Sequence, residues 1–581
     1  MKKILRYLSF AFISTVLTAT PSIAADQIAF YYPPFGEFTL STQSLETFAK
    51  EGKITKDFAF YAQRATPQQL AQLRELLQQK FKVTPTLVSQ FSYSPLGEKV
   101  VQRLGELIQT DKQMNGFYAI RGALILAAAD PQGLTVVNVL RRFPSNSVRI
   151  NFTEGLQVVS NLTDLLKRKD AIVAFIQKEA NAEAETANID FSKQPDLRSP
   201  GNFRFSKITL ELKDQTRDRR LPVDLYLPQR GRQGDKETRR QGGNLSPSSP
   251  SSPSSPSSPS SPLSSPTPPL PPSSSPLIVI SHGVASDRFA FVYLAQHLAS
   301  YGFAVAALEH PGSNAQRFQQ YFAGLAGPPE PAELINRPLD VKFVLNELQR
   351  LEKSDPRMQG KLNFQQVGAF GHSYGGYTVF TLAGAKINFQ QIRKDCNPNK
   401  SLNLSIFLQC RANELTSANY SLKDDRIKAA FTVNPFVSSI FGESEVRQIK
   451  LPFMVVSGSQ DIVTPTVPEQ IRPFTWLGSK NKYLAVIENA THFTALAETP
   501  PENNVLPVPP VFLGPPTKDA HSYLNALSVA FFETYLLNRR EYQVYLQPAY
   551  AKYISKAPLN LSFLQSLTAE QLTPFVNGAK K

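Results

Sequence analysis

At 581 residues the chain is too long to fold around one hydrophobic core, so two domains are expected. Its 62 Lys and Arg outnumber 47 Asp and Glu and leave a net charge of +15, yet no interleaving of basic and aromatic residues accompanies that charge, which argues against nucleic acid as a partner. The two cysteines and six histidines are not at metal-ligand spacing, so neither a metal site nor a cofactor is expected.

The N-terminus opens with Met1-Lys2-Lys3-Ile4-Leu5-Arg6, continues with an apolar run over 7–17, and reaches small residues at Ser22-Ile23-Ala24-Ala25. A basic start, a short apolar core and a small-residue cleavage point predict a secretory signal peptide over 1–25, since a membrane span needs roughly 20 apolar residues. The expected product is exported, to the periplasm or the extracellular space. Losing Lys2, Lys3 and Arg6 lowers the charge by three, from +15 to about +12. A basic exported surface fits peripheral contact with a membrane or envelope surface, although scattered Lys and Arg on a soluble surface account for the same charge.

Residues 26–193 carry mostly helical signals. The stretches 27–32 and 37–40 read as a short hairpin across Pro33-Pro34-Phe35-Gly36. Thr66-Pro67-Gln68-Gln69 combines an N-cap, a proline at the first helical position and a glutamine at the third, ahead of an apolar face of Leu70, Leu73, Leu76 and Leu77. Thr84-Pro85 and Ser94-Pro95 repeat the start signal, and 116–129 and 162–180 are further helical stretches. The region contains no histidine, so a hydrolytic centre built on imidazole cannot lie in it. The expectation is a mainly α-helical accessory domain.

From residue 203 strands take over. An alternating stretch over 207–213 pairs with 221–227 as a hairpin, and apolar runs follow at 277–280, 303–308, 367–370, 429–433, 453–456 and 483–487. Helical intervals around 289–300, 340–353 and 376–383 separate the earlier runs. That alternation predicts an α/β domain over 203–540, a mostly parallel eight-stranded sheet covered by helices on both faces with the hairpin at one edge. Residues 541–581 are left as a C-terminal extension. The segment 230–276, largely a Ser-Ser-Pro repeat from 246 onward, cannot bury apolar surface and is expected as an extended, disordered loop. It falls between the second and third strands of the α/β domain, so it is an insertion in that domain and not the linker between domains.

The chemistry concentrates in the second half. Gly371-His372-Ser373-Tyr374-Gly375 follows an apolar strand and precedes a helix-compatible stretch, the context in which a G-x-S-x-G turn presents a nucleophilic serine. A serine hydroxyl needs a general base, and the base an orienting acid. His492 follows the last apolar strand and Asp461 the one before it, and the chain order Ser373, Asp461, His492 is that expected after such a turn. All three fall at strand C-terminal ends, where open α/β sheets carry their sites. The developing oxyanion needs N–H donors, assigned here to the backbone of Tyr374, at the head of the helix, and of Val284, after the Gly283 turn. His282, His297, His310, His372 and His521 read as structural, with His282 and His310 lining or bracing the cleft. Cys396 and Cys410 are close in sequence and would meet an oxidising compartment, which favours a disulfide over two buried thiols.

The segments Ile280-Ser281-His282-Gly283, 298–310, Arg337-Pro338-Leu339-Asp340-Val341 and Gly371-His372-Ser373-Tyr374-Gly375-Gly376 resemble α/β-hydrolases, in particular the dienelactone-hydrolase-like group and the plasma-type platelet-activating-factor acetylhydrolases. The resemblance covers about 208–537 and implies the eight-stranded hydrolase fold and a carboxylester hydrolase acting through Ser373 and His492. The plasma-type acetylhydrolases carry their acid after the strand that here ends at Asn434. An amide cannot serve there, which favours Asp461 and loosens the link to their phospholipid substrate. True dienelactone hydrolases use a cysteine where Ser373 stands, so their reaction does not carry over. Residues 30–52 resemble an uncharacterised domain found ahead of such hydrolases in bacteria, which implies no activity.

Two segments are candidates to cover the cleft, 311–336 with Phe318, Tyr321 and Phe322, and 386–425 with both cysteines. The expected substrate is a small-molecule or lipid-derived ester with a short or medium acyl chain. Thioester cleavage or acyl transfer on the same fold is an alternative, as is an inert hydrolase-like domain acting as an envelope binding protein.

Overall fold

The computed structural model describes residues 25–32, 36–81, 83–229, 274–396, 403–498 and 513–576. Residues 1–24 of the predicted signal peptide, the Pro33-Pro34-Phe35 turn and the Ser/Pro-rich segment up to residue 273 lie outside the described residues. The chain divides into two compact units. One runs to Asn161 and includes Phe322–Gly324; the other takes Leu162–Tyr321 and the chain from Leu325 onward.

The first unit is mixed α/β. Its described residues form a four-stranded sheet in the order β2-β1-β4-β3, with β1 at Gln27–Tyr32, β2 at Gly36–Ser41, β3 at Ile108–Gln109 and β4 at Ser147–Ile150. The β1–β2 pair is the hairpin expected from the sequence, and β4 adds to β1 in parallel. The expectation of a mainly helical domain is therefore corrected. Strands β3 and β4 are two and four residues long, too short to alternate visibly, and their pairing partners lie far away in sequence. The helix starts follow the sequence signals: Thr66, Thr84 and Ser94 each accept a hydrogen bond from the N–H three residues on, ahead of a proline, and Thr66 and Gln69 complete a capping box.

The second unit is built on a nine-stranded sheet in the order β13-β12-β11-β10-β9-β7-β8-β6-β5. The strands are β5 Arg204–Asp214, β6 Arg219–Gln229, β7 Ser275–Ser281, β8 Ala304–Leu308, β9 Leu362–His372, β10 Ile427–Val433, β11 Phe453–Gly458, β12 Lys482–Ile487 and β13 Leu561–Leu564. From β8 to β12 every neighbouring pair is parallel, while the β5–β6 hairpin closes one edge and β13 the other in antiparallel pairing. Strand order and direction are consistent with an α/β-hydrolase. The ninth strand, β13, lies within the stretch read as an extension. Its four residues Leu561-Ser562-Phe563-Leu564 carry too little pattern to mark a strand, and tertiary pairing with Leu484–Ile487 creates it.

Helices cover both faces. On β7, Leu277 and Val279 join the core beneath helices Glu333–Ser354 and Tyr374–Leu382, while Ile278 and Ile280 join the opposite core beneath Val292–Ser300 and Lys518–Leu536. Two-sided burial explains why these strands read as continuous apolar runs. The division between units falls within helix Phe152–Glu185, before the composition change near 203, because its second half buries Ile172, Ile176 and Ala180 in the sheet's core. Strand β7 has β8 on one side and β9 on the other, so the chain switches direction across the sheet there, where ligand crevices form at strand C-terminal ends.

Candidate active site

Strand β9 ends at His372, and a helix begins at Tyr374. Between them Ser373 has φ 54° and ψ −114°, a left-handed backbone that a serine holds only when its surroundings enforce it. The flanking glycines make the turn sterically possible. A Cβ on Gly371 would lie 2.1 Å from the Gly375 carbonyl oxygen, and one on Gly375 would lie 1.8 Å from that of Ser281. The Ser373 N–H donates to the Val433 carbonyl at 2.9 Å, tying the turn to the end of β10. Tyr374 opens the helix, so its N–H has no acceptor within the helix.

His492 lies on the loop after β12. Its Nδ1 is 2.8 Å from Asp461 Oδ2. The carboxylate is itself fixed, since Oδ1 accepts from the Val463 and Thr464 N–H groups at 2.8 and 2.9 Å, and Oδ2 accepts from Thr464 Oγ1 at 2.8 Å. An Nδ1–H facing Asp461 leaves Nε2 as the basic nitrogen of the ring. His372, beside Ser373, donates from Nε2 to the His492 carbonyl at 2.9 Å, and Asn434 Nδ2 reaches the same oxygen at 3.4 Å. These contacts connect the serine turn, the end of β10 and the histidine loop.

Asn434 does more than fail as an acid. Its Oδ1 accepts from the Gly458 N–H at 2.8 Å while Nδ2 donates to the Thr491 and His492 carbonyls, so one amide joins β11 to the His492 loop. An aspartate offers no donor for the second half of that arrangement. Further along, the Tyr293 hydroxyl donates to the Ala495 carbonyl at 2.9 Å and His521 Nε2 to that of Leu496 at 2.8 Å, with the two rings stacked at 3.8 Å. The sequence offered no signal for this brace, because its partners lie about 200 and 25 residues away from the loop they hold.

Gly283 sits against the turn: a Cβ there would lie 3.0 Å from His372 Nδ1 and 3.5 Å from the Ser373 Cβ. The loop carrying Val284 is thus adjacent to Ser373. Beneath it, Ser281 Oγ is 2.9 Å from His310 Nε2, and His310 Nδ1 is 3.0 Å from Asp340 Oδ2. This Ser-His-Asp chain was not legible in the sequence, as its members are about 30 residues apart and share no motif. It is enclosed, with Ser281 2 % exposed and His310 and Asp340 at 0 %.

Burial is the main cause that holds His282, His310 and His372 well below the usual imidazole range, with the Arg337 charge acting next on the first two and His492 on the third. Groups that stay neutral in the fold but protonate when unfolded make stability fall as pH drops through about 6.5 toward their depressed folded values. Each histidine contributes up to roughly 1.4 kcal/mol per pH unit in that window. Urea midpoints should therefore fall between pH 7.5 and pH 5.5; equal midpoints at the two values would contradict this.

Cys396 and Cys410 are joined by a disulfide with Cα atoms 5.5 Å apart. Next to Cys410, Gln409 donates to the buried Glu469 at 3.0 Å and accepts from the Ser439 and Ile440 N–H groups, and Glu469 also accepts from the Val437 and Ser438 N–H groups. Gln409 thereby ties the Cys410 end of the bridge to Glu469, on the stretch that follows Asp461. For a separation of 14 residues, replacing both cysteines by serine should lower unfolding free energy by about 3 kcal/mol, measurable by urea titration; an unchanged value would contradict it. Tyr321, among the aromatics of the 311–336 segment, is buried at 4 % exposure.

Residues 24–151 match the family model described as alpha/beta hydrolase of unknown function (DUF1400), and residues 252–331 match the one described as platelet-activating factor acetylhydrolase, isoform II. Both matches agree with the resemblances read from the sequence. The second contains Ser281, His282, Gly283, Val284 and His310 and ends before Ser373. No curated protein matches the chain.

Proposed function

We propose that this chain is a serine hydrolase of carboxylic esters, with Ser373 as nucleophile, His492 as general base and Asp461 as the acid that orients it. The observation that carries the reading is a serine held in a left-handed turn between β9 and its helix, on a sheet whose strands β11 and β12 lead into a His492–Asp461 pair at 2.8 Å. In this reading Ser373 Oγ attacks the ester carbonyl carbon and its proton passes to His492 Nε2. The carbonyl oxygen becomes an oxyanion held by the Val284 and Tyr374 N–H groups. Collapse breaks the carbon–oxygen bond to the alcohol, which leaves with the proton from His492. Water then repeats the sequence on the acyl-serine and releases the acid. The match to an acetylhydrolase family supports a short or medium acyl group, on a small-molecule or lipid-derived ester. Export, and contact with an envelope or membrane surface, belong to the same proposal and rest on the N-terminal pattern and the basic charge.

The Ser281–His310 hydrogen bond favours a second reading, in which that pair is the catalytic one. It differs from the first in what surrounds the serine. Ser281 ends an extended strand paired on both sides, with Leu308 and with Gly371, whereas Ser373 stands in the left-handed turn between a strand and a helix. Turnover of p-nitrophenyl esters of graded chain length, and of matching thioesters, tests the proposal. Ester turnover that disappears in Ser373→Ala is expected; turnover that survives in it, or none on any ester with wild-type protein, would overturn it.

A further inference from the structure

The buried cluster under the Gly283 loop has a geometry that bears on the peptide groups of that loop. Arg337, fully enclosed, donates through Nη2 to the His282 carbonyl oxygen and through Nη1 to Ser313 Oγ at 2.8 Å. His282 Nε2 accepts from the His310 N–H at 3.0 Å. A backbone N–H can only donate, so the ring hydrogen of neutral His282 sits on Nδ1, which donates to the Gly283 carbonyl at 2.6 Å. Both carbonyls flanking Gly283 are therefore held by named donors. In a trans peptide the C=O and the next N–H point in opposite directions. Fixing the Gly283 carbonyl on His282 thus fixes the direction of the Val284 N–H, in a loop that lies against Ser373.

The Ser281–His310–Asp340 chain supports this clamp. Asp340 accepts from Arg217 at 2.8 Å and from Arg219 at 2.8 and 2.7 Å, and Glu333 accepts from Arg219 at 2.7 Å and from Ser313 at 2.9 Å. Two carboxylates thus answer guanidinium groups on both sides of His310 and Arg337. A base that abstracts a proton must become an imidazolium; burial first, and then the charges of Arg337, Arg219 and Arg217, oppose that at His310, with the Asp340 carboxylate at 3.0 Å acting the other way. Ser281 and His310 have the connectivity of a nucleophile and base, in surroundings whose burial and arginine charges disfavour the charge separation.

We propose that Arg337 and His282 are positioning residues that preset the Val284 N–H as an oxyanion donor, and that Ser281, His310 and Asp340 form their foundation and not a second catalytic centre. This rests on the reading of Ser373 as the nucleophile. Two polar variants of one residue separate the roles. His282→Asn keeps a donor near the Nδ1 position toward the Gly283 carbonyl, whereas His282→Gln offers its amide near the Nε2 position and loses that donor. His282→Gln should lower kcat by about 10²- to 10³-fold with KM within threefold, the loss seen when one oxyanion donor is removed. His282→Asn should recover kcat to within about tenfold of wild type, with melting temperatures of the two variants alike. Ser281→Ala should still take a fluorophosphonate label on Ser373. Equal kcat in His282→Asn and His282→Gln, or a loss expressed in KM alone, would overturn the proposal while leaving Ser373-dependent ester hydrolysis standing, whereas wild-type label found on Ser281 would overturn both. Wild-type protein without Ser373-dependent turnover would overturn the parent reading, and the proposal with it.

Discussion

Replacing Ser373 by alanine is expected to lower kcat on the best ester by about 10⁶, to the residual level that substrate binding and oxyanion donors alone provide. The variant removes one oxygen atom from a residue that is 4 % exposed. It adds no bulk to a turn whose φ of 54° is set by its neighbours and not by the hydroxyl. Melting temperature should therefore hold while turnover collapses. KM should change little, because the hydroxyl's covalent role comes after binding. A variant retaining a tenth of wild-type kcat would show that another group delivers the nucleophile.

Asp461→Asn is expected to cost about 10⁴ in kcat with little structural change. The aspartate's Oδ1 accepts two backbone N–H groups, from Val463 and Thr464, and an amide oxygen can keep both. The amide nitrogen then faces His492 Nδ1 and Thr464 Oγ1, where Oδ2 stood at 2.8 Å from each. An N–H donor at that point forces the imidazole hydrogen onto Nε2, the nitrogen that has to receive the Ser373 proton. The variant should regain activity in alkaline solution, where hydroxide substitutes for the missing base. A loss of less than tenfold at neutral pH would remove Asp461 from the catalytic group.

Legibility from sequence followed the range of the interactions. The Ser373 turn was readable because strand, glycines and helix start lie within about 15 consecutive residues and each has a local cause. The same holds for the Thr66, Thr84 and Ser94 helix starts. Asp461 and His492 were readable one step further out, through their positions after β11 and β12 and their order in the chain. What could not be read depends on pairing across long separations. Strand β13 exists because β12 offers it an edge, and β4 because β1 does; neither has a pattern of its own. The Ser281–His310–Asp340 chain and the clamp of Arg337 on the His282 carbonyl join β7, the end of β8 and a helix, and no spacing rule connects those residues. Asn434 was legible only as an unsuitable acid. Its use as a two-way amide between β11 and the His492 loop needed the fold.

Reaction of the wild-type protein with a fluorophosphonate, followed by peptide mapping, distinguishes Ser373 from Ser281 as the reacting hydroxyl. A single adduct on the peptide containing Ser373 is expected, strongly slowed when His492 is replaced by alanine and unaffected in position by Ser281→Ala. An adduct on Ser281, or Ser373 labelling that proceeds at the wild-type rate without His492, would contradict it.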